Sequence, residues 1–415
     1  MTFRLLAALL AAALLSAACA GTAASTTTAT AAPTTSASPT TTFPPPTTPT
    51  TAAPTTTAPA TTVAATTTAP VEAFAEPGSC ELRSGLPDAV GLSWPRSDDR
   101  LRSTGTVNVA VLFADFADVA ADRSPEEALA LVSPGSEDFF AAVSYGRMNL
   151  VLHPHLEWLR LGRSTGYAEA IRSFDGHRDF IVQAVALADA AFDFSEIDEV
   201  VVMSTPNATE IASGPTWMGF DEFGGRIDAD GAGITNGITG GADITYWGWK
   251  WLPHEMGHSL GLPDLYDLVG GGFTRPFGIM DLIDSSAPGY FAYERRYLGW
   301  LDDDQIICLD GDHQATISPI ETAGGVKAMM VPLSPSRAVA VESRRAIGYD
   351  SALSVEGALV YVVDASIPTF EGPIQVMNLH RRPLGVGESV TVEGVTITVV
   401  DATPDGDTVQ ITLDG

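Results

Sequence analysis

The chain has 415 residues, 45% of them hydrophobic and 18% charged, with 51 acidic side chains against 22 basic ones and a formal net charge of -29. That length accommodates a sizeable core or two domains. The deficit of Lys and Arg excludes a phosphate-binding face, and with it a nucleic-acid partner. The acidic, glycine-containing stretches Asp221 to Asp230 and Asp401 to Asp407 offer oxygen ligands for calcium, but neither follows EF-hand spacing, so they are read as turns and no calcium site is assigned.

Met1-Thr2-Phe3-Arg4, the apolar run Leu5 to Leu15 and the small residues up to Ala20 predict a signal peptide over residues 1–20, hence export of the chain. No later run is long and apolar enough to predict a membrane span. Ser16-Ala17-Ala18-Cys19 is similar to a bacterial lipobox with Ser16 where Leu is usual, and it also suits ordinary cleavage. Two outcomes stay open: a lipid anchor at Cys19 that holds the protein on the cell envelope, or release to the exterior. Residues 21–72 are almost wholly Thr, Ala, Pro and Ser, with Phe43 as the one aromatic, so they predict an extended stalk. At about 3.1 Å per residue such a stalk reaches on the order of 150 Å.

Residues 73–104 are expected to be a strap or a short pro-segment carrying Cys80. With the leader removed, Cys80 and Cys308 are the cysteines left to pair in an oxidising compartment, and a disulfide between them is the simplest outcome. The alternative is Cys80 as a thiolate on a metal in a latent precursor.

Thr106 to Phe116 (TVNVAVLFADF) predicts a buried central strand. Ser124-Pro125-Glu126-Glu127 marks a helix start, Ser136 to Val143 a short helix, Met148 to Trp158 a strand pair, Asp175 to Phe192 a long amphipathic helix and Glu199 to Met203 a short buried strand. Gly214 to Gly241 reads as a glycine-rich loop leading to Tyr246-Trp247-Gly248-Trp249-Lys250-Trp251, aromatics that fit a core better than a substrate cleft. From Asp310 short alternating segments recur: Ala328 to Leu333, Arg337 to Glu342, Gly357 to Asp364, Ser389 to Val392, Val395 to Asp401 and Thr408 to Leu413. They predict a β-sandwich-like domain over residues 305–415, after a domain over residues 105–304, in an α+β fold.

The stretch His254-Glu255-Met256-Gly257-His258-Ser259-Leu260-Gly261-Leu262-Pro263-Asp264 carries the chemistry. Residues four apart share a helix face, so His254 and His258 can present ring nitrogens to one metal with Glu255 beside them. Gly261 can take a positive φ and Pro263 discourages continuation, so the chain can fold back and bring Asp264 to the same ion. This is the ligand set of a catalytic zinc (Zn2+) site, with Glu255 as the base that takes a proton from water rather than as a ligand. His153, His155, His177, His313 and His380 are read as surface or hydrogen-bonded residues.

The motif, with Leu262-Pro263-Asp264-Leu265-Tyr266-Asp267, resembles the immune inhibitor A-like (M6) metallopeptidases of the metzincin clan. Ser144-Tyr145-Gly146-Arg147-Met148, the sequence Phe277-Gly278-Ile279-Met280-Asp281, Tyr297-Leu298-Gly299-Trp300 and the segments Val341 to Arg345 and Gly357 to Asp364 extend the similarity over roughly residues 105 to 415. The resemblance implies a metzincin-like catalytic domain with a mixed sheet, a backing helix and an active-site helix. It implies zinc on His254, His258 and Asp264, Glu255 as base, Met280 as the hydrophobic floor of a Met-turn, and cleavage of protein or peptide substrates by a metalloendopeptidase.

Two positions depart from the pattern. Pro253 precedes the first histidine and predicts a helix that starts late or kinks. Leu282 stands where some metzincins have an oxyanion-polarising tyrosine, leaving Tyr290, Tyr293 or Tyr266 as substitutes. Glu294 is an alternative third ligand. The rival function is a wall-tethered binding protein, catalytically weak or inactive, whose zinc is structural. The sequence assigns no oligomeric state.

Overall fold

The computed structural model describes residues 80–86, 90–218 and 225–414. The signal peptide, Cys19, the stalk, the strap residues 73–79 and 87–89, and Asp221 lie outside the described residues.

The fold is α+β. Its first sheet comprises β1 (Gly105–Phe116), β2 (Met148–Leu161), β3 (Glu199–Ser204), β4 (Gly214–Trp217) and β7 (Asn236–Gly240); a small hairpin of β5 (Ile227–Ala229) and β6 (Ala232–Ile234) lies apart. The order is β2-β1-β3-β7-β4. The first four are parallel and β4 is the antiparallel edge. β1 reads as continuously apolar because it is covered on both faces. Ala110, Leu112 and Ala114 meet Phe180, Ile181 and Ala184, whereas Val109, Val111 and Phe113 face a second core with Phe139, Phe140 and Met256. The helices behind these cores are α1 (Pro125–Leu129), α2 (Gly135–Val143) and α3 (Phe174–Ala188).

Two expectations are corrected here. Met148 to Trp158 is one long strand rather than a pair: β2 runs parallel to β1, and Pro154, which lacks an N–H for the ladder, precedes a bulge that shifts the pairing to Phe113 opposite Trp158. The glycine-rich stretch from Gly214 to Gly241 is not a loop throughout but supplies β4 to β7. The glycines within β7 let side chains approach closely: a Cβ on Gly237 or Gly240 would sit 2.7 Å from Ile181 Cδ1 or 2.4 Å from Ile244 Cδ1, so those isoleucines would have to move.

The C-terminal part pairs β8 (Ile306–Cys308), β10 (Ala328–Ser334), β11 (Arg337–Arg344), β12 (Gly357–Asp364) and β13 (Ile374–Val376) in one sheet. β9 (His313–Ile317), β14 (Ser389–Val392), β15 (Val395–Thr403) and β16 (Gly406–Leu413) form the other. Between them Val339, Val341, Val360 and Val362 meet Ile397, Val399, Val409 and Ile411. The opposite face of the five-stranded sheet, including Ala338, Ala340, Leu359 and Tyr361, joins the core beneath Met256 and Met280. The change of pattern near residue 305 therefore marks a new sheet within one continuously packed body.

The described part of the strap is tied at both ends. Cys80 is disulfide-bonded to Cys308 on β8, with the Cα atoms 5.6 Å apart. Further on, Gly91 N–H donates to Gly261 O (2.9 Å) and Leu101 N–H to Ser259 O (3.1 Å), so the strap runs along the end of the helix that carries the two motif histidines. Paired in this way, Cys80 is not a thiolate ligand.

Candidate metal centre

The short helix α4 (Ile244–Trp247) and a turn of 3-10 helix over Gly248–Lys250 lead into α5 (Trp251–Ser259), in which all nine residues are buried. Pro253 neither delays nor kinks this helix. It occupies the first turn, where a backbone N–H has no intrahelical partner in any case, and its carbonyl accepts from Tyr290 Oη at 2.8 Å. The helix stops at Gly261, φ 101, with Leu262 N–H donating to Gly257 O (2.8 Å) and Gly261 N–H to His258 O (2.9 Å). This is a Schellman cap, and the left-handed glycine at its centre reverses the chain.

The reversal brings Asp264 back over the helix. His254 Nδ1 lies 2.8 Å from Ile279 O and His258 Nδ1 2.8 Å from Leu262 O. A carbonyl can only accept, so each Nδ1 carries the proton and each Nε2 keeps its lone pair. Those two Nε2 atoms lie 3.4 Å and 3.3 Å from Asp264 Oδ1. Oδ1 is buried and receives no hydrogen bond. With both rings neutral, three buried acceptors thus converge with no donor among them, and a cation resolves that conflict. Ligands about 2.0–2.1 Å from a tetrahedral zinc lie about 3.3 Å from one another, so the donor set fits. His254, His258 and Asp264 form the one such group of three or more His, Cys, Asp or Glu among the described residues, and it could hold a metal ion.

Burial lowers the pKa of His258, yet the Asp264 charge outweighs it and the net shift is upward. Burial raises the Asp264 carboxyl, but His258 and His254 together hold it well below the usual carboxylate range. Glu255, 4% exposed, has its carboxyl pushed up to about 8 by burial, with His254 opposing and Asp243 and Asp264 reinforcing the shift. Its carboxylate makes no hydrogen bond within the described residues.

Met280 lies against the same helix. A Cβ on Gly257 would sit 2.3 Å from Met280 Sδ, so the glycine between the two histidines is the space this sulfur fills. The loop around Met280 also holds the ligands in place: Ile279 O orients His254, and Met280 O accepts from Leu265 N (2.8 Å), the residue after Asp264.

Several sequence-based expectations end differently. Glu294 is not a ligand: it sits in the first turn of α6 (Ala292–Tyr297), where Oε2 accepts from Phe291 N at 2.8 Å. Tyr290 and Tyr293 cannot polarise an oxyanion at the metal. Both are buried, and their hydroxyls donate to Pro253 O and Leu92 O, each at 2.8 Å. Tyr266, two residues after Asp264, is partly exposed and packs edge-on to Phe370. Trp251 is fully buried, as a core residue should be, whereas Tyr246 is 76% exposed. None of the other histidines joins the group; His153 Nε2, for instance, pairs with Asn108 Oδ1 at 3.0 Å.

Sequence reasoning missed Thr369, whose hydroxyl lies 3.1 Å from Asp264 Oδ2. It stands 105 residues downstream in a loop between two strands, and no local pattern marks it. Comparison with known proteins finds no family model that matches this chain and no curated protein similar to it in sequence.

Proposed function

We propose that the protein is a zinc-dependent endopeptidase of metzincin type, similar to the M6 family, exported and either released or lipid-anchored through Cys19. The observation that carries this reading is the convergence of two imidazole Nε2 atoms and an unpartnered carboxylate oxygen beside a buried, unbonded Glu255. No fourth His, Cys, Asp or Glu joins the group among the described residues, which favours a catalytic site with an open position over a closed structural one. A zinc ion held there would supply Lewis acidity for the attack of water on a peptide carbonyl.

Glu255 takes the proton of the attacking water and returns it to the leaving amine. A carboxyl raised towards neutrality is matched to both halves of that transfer. The edge strand β4, antiparallel to its neighbour in an otherwise parallel sheet, offers backbone groups for an extended substrate chain. Met280 supports the helix from beneath and takes no part in proton transfer.

The test is zinc content together with casein cleavage for the wild type and Glu255→Ala. Equimolar zinc in both proteins with cleavage by the wild type alone is the expected result. Undiminished cleavage by Glu255→Ala removes the proposed base, and zinc-loaded wild-type protein that cleaves nothing supports the structural-zinc alternative.

A further inference from the structure

The loop joining β12 to β13 belongs to the C-terminal sheet, yet it is packed on the segment that follows the metal-binding helix. Asp264 N–H donates to Thr369 Oγ1 at 2.9 Å, and Thr369 Oγ1–H donates to Asp264 Oδ2 at 3.1 Å. Phe370 N–H donates to Asp264 O at 3.3 Å. Phe370 achieves this with φ 66, a left-handed conformation that costs a bulky residue energy unless its surroundings hold it there. Its ring packs edge-on to Tyr266 with centroids 5.5 Å apart, and Asp267 bridges Glu371. The two loops are thus joined along their length, with Asp264 at the point of closest engagement.

We propose that Thr369 is a positioning residue of the metal centre, which fixes Asp264 as a one-oxygen ligand. The hydroxyl occupies Oδ2, so rotation of the carboxylate is blocked and Oδ1 alone faces His254 and His258. Asp264 is fastened on both sides: its backbone N–H is held by the same hydroxyl that its side chain accepts from. Without that hydroxyl the carboxylate is free to turn, to present both oxygens or to withdraw, and the three donors lose their fixed spacing. The C-terminal sheet is therefore part of the metal site rather than an appendage. This inference rests on the metal-centre reading above but not on peptidase activity.

The experiment measures zinc affinity by competition with a chromophoric chelator, and the visible spectrum of the cobalt-substituted protein, for full-length wild type, Thr369→Val, Thr369→Ala and Thr369→Ser. Loss of a group that orients a ligand weakens metal binding by about tenfold to a hundredfold. That loss is expected for Val and Ala alike, with an altered cobalt spectrum, while Ser, which keeps the hydroxyl, stays near wild type. The metal-free proteins should melt together. Wild-type zinc affinity and an unchanged cobalt spectrum in Thr369→Val and Thr369→Ala overturn the proposal. A Thr369→Ser variant as weak as Thr369→Val also overturns it, because packing would then be the cause. Wild-type protein that takes up neither metal removes this inference together with the metal centre. Metal uptake that responds to Thr369→Val in a protein that cleaves no peptide leaves the inference standing and removes only the peptidase.

Discussion

Two of the buried clusters of ionisable groups among the described residues differ in how their hydrogen bonds close. Around Arg344, fully buried, Nε donates to Glu342 Oε1 and Nη1 to Asp350 Oδ2, each at 2.6 Å. Glu342 Oε2 accepts from Ala292 N (2.7 Å) and Tyr361 Oη (2.9 Å), while Asp350 Oδ1 accepts from Gly289 N (3.3 Å). Arg344 faces both acids and each oxygen of Glu342 and Asp350 has a donor, although Glu294 Oε1 and Glu321 Oε2 beside them are buried without one. At His254, His258 and Asp264 the nearest groups are all acceptors, and Oδ1 has no donor. Burial and charge are common to both clusters; only the second brings three acceptors together without a donor. The difference teaches that a set whose carboxylate oxygens each have a donor ties the sheet of β11 and β12 to α6, whereas several acceptors converging without a donor form a group that could hold a metal ion.

That contrast can be broken or sharpened by experiment. The largest effect is expected at Glu255: Glu255→Ala should lower the cleavage rate by about 10²- to 10⁴-fold without unfolding the protein or releasing zinc, as measured by steady-state kinetics and metal analysis. Next comes Arg344→Met, which strands two buried carboxylates and should cost about 3–5 kcal/mol in urea unfolding while zinc stoichiometry stays at the wild-type value. A loss of zinc in Arg344→Met would dissolve the distinction between the two clusters. Replacing Cys80 and Cys308 together by Ser opens a loop closed over 228 residues and should cost about 2–5 kcal/mol, read from the thermal midpoint of the metal-loaded protein.

A smaller effect concerns pH. Burial lowers the pKa of His177 from its ordinary 6.5 to about 4. A depressed histidine favours its neutral form in the fold, so its contribution is complete above pH 6.5 and is lost as pH falls from there towards 4. Glu199 and Glu294, both pushed up to about 8 by burial, act in the opposite sense, since stability is lost as pH rises from 4.5 towards 8. The difference between wild type and His177→Gln in urea midpoint, followed from pH 7.5 to 4.5, isolates the histidine and should narrow or reverse as the pH falls. The smallest effect is Met280→Leu, a near-isosteric change that should cost under about 1.5 kcal/mol, with zinc still bound.

The sequence by itself determined the local parts. Four-residue spacing puts His254 and His258 on one helix face, Gly261 permits the reversal, and the short apolar segments after residue 328 form strands, though burial of both faces of β11 and β12 is a matter of tertiary packing. It left open which acid completes the set, since Asp264 and Glu294 are both carboxylates at credible distances along the chain. Tertiary structure decided that by burying Glu294 as a helix cap and turning Asp264 onto the histidines. It also decided Thr369, the Met280 contact at Gly257 and the fate of Tyr290 and Tyr293, because each depends on an approach between segments that no local spacing encodes. The physical reason is range: helix periodicity and turn chemistry act over a few residues, whereas the position of a hydroxyl 105 residues downstream is fixed only once the two sheets share a core.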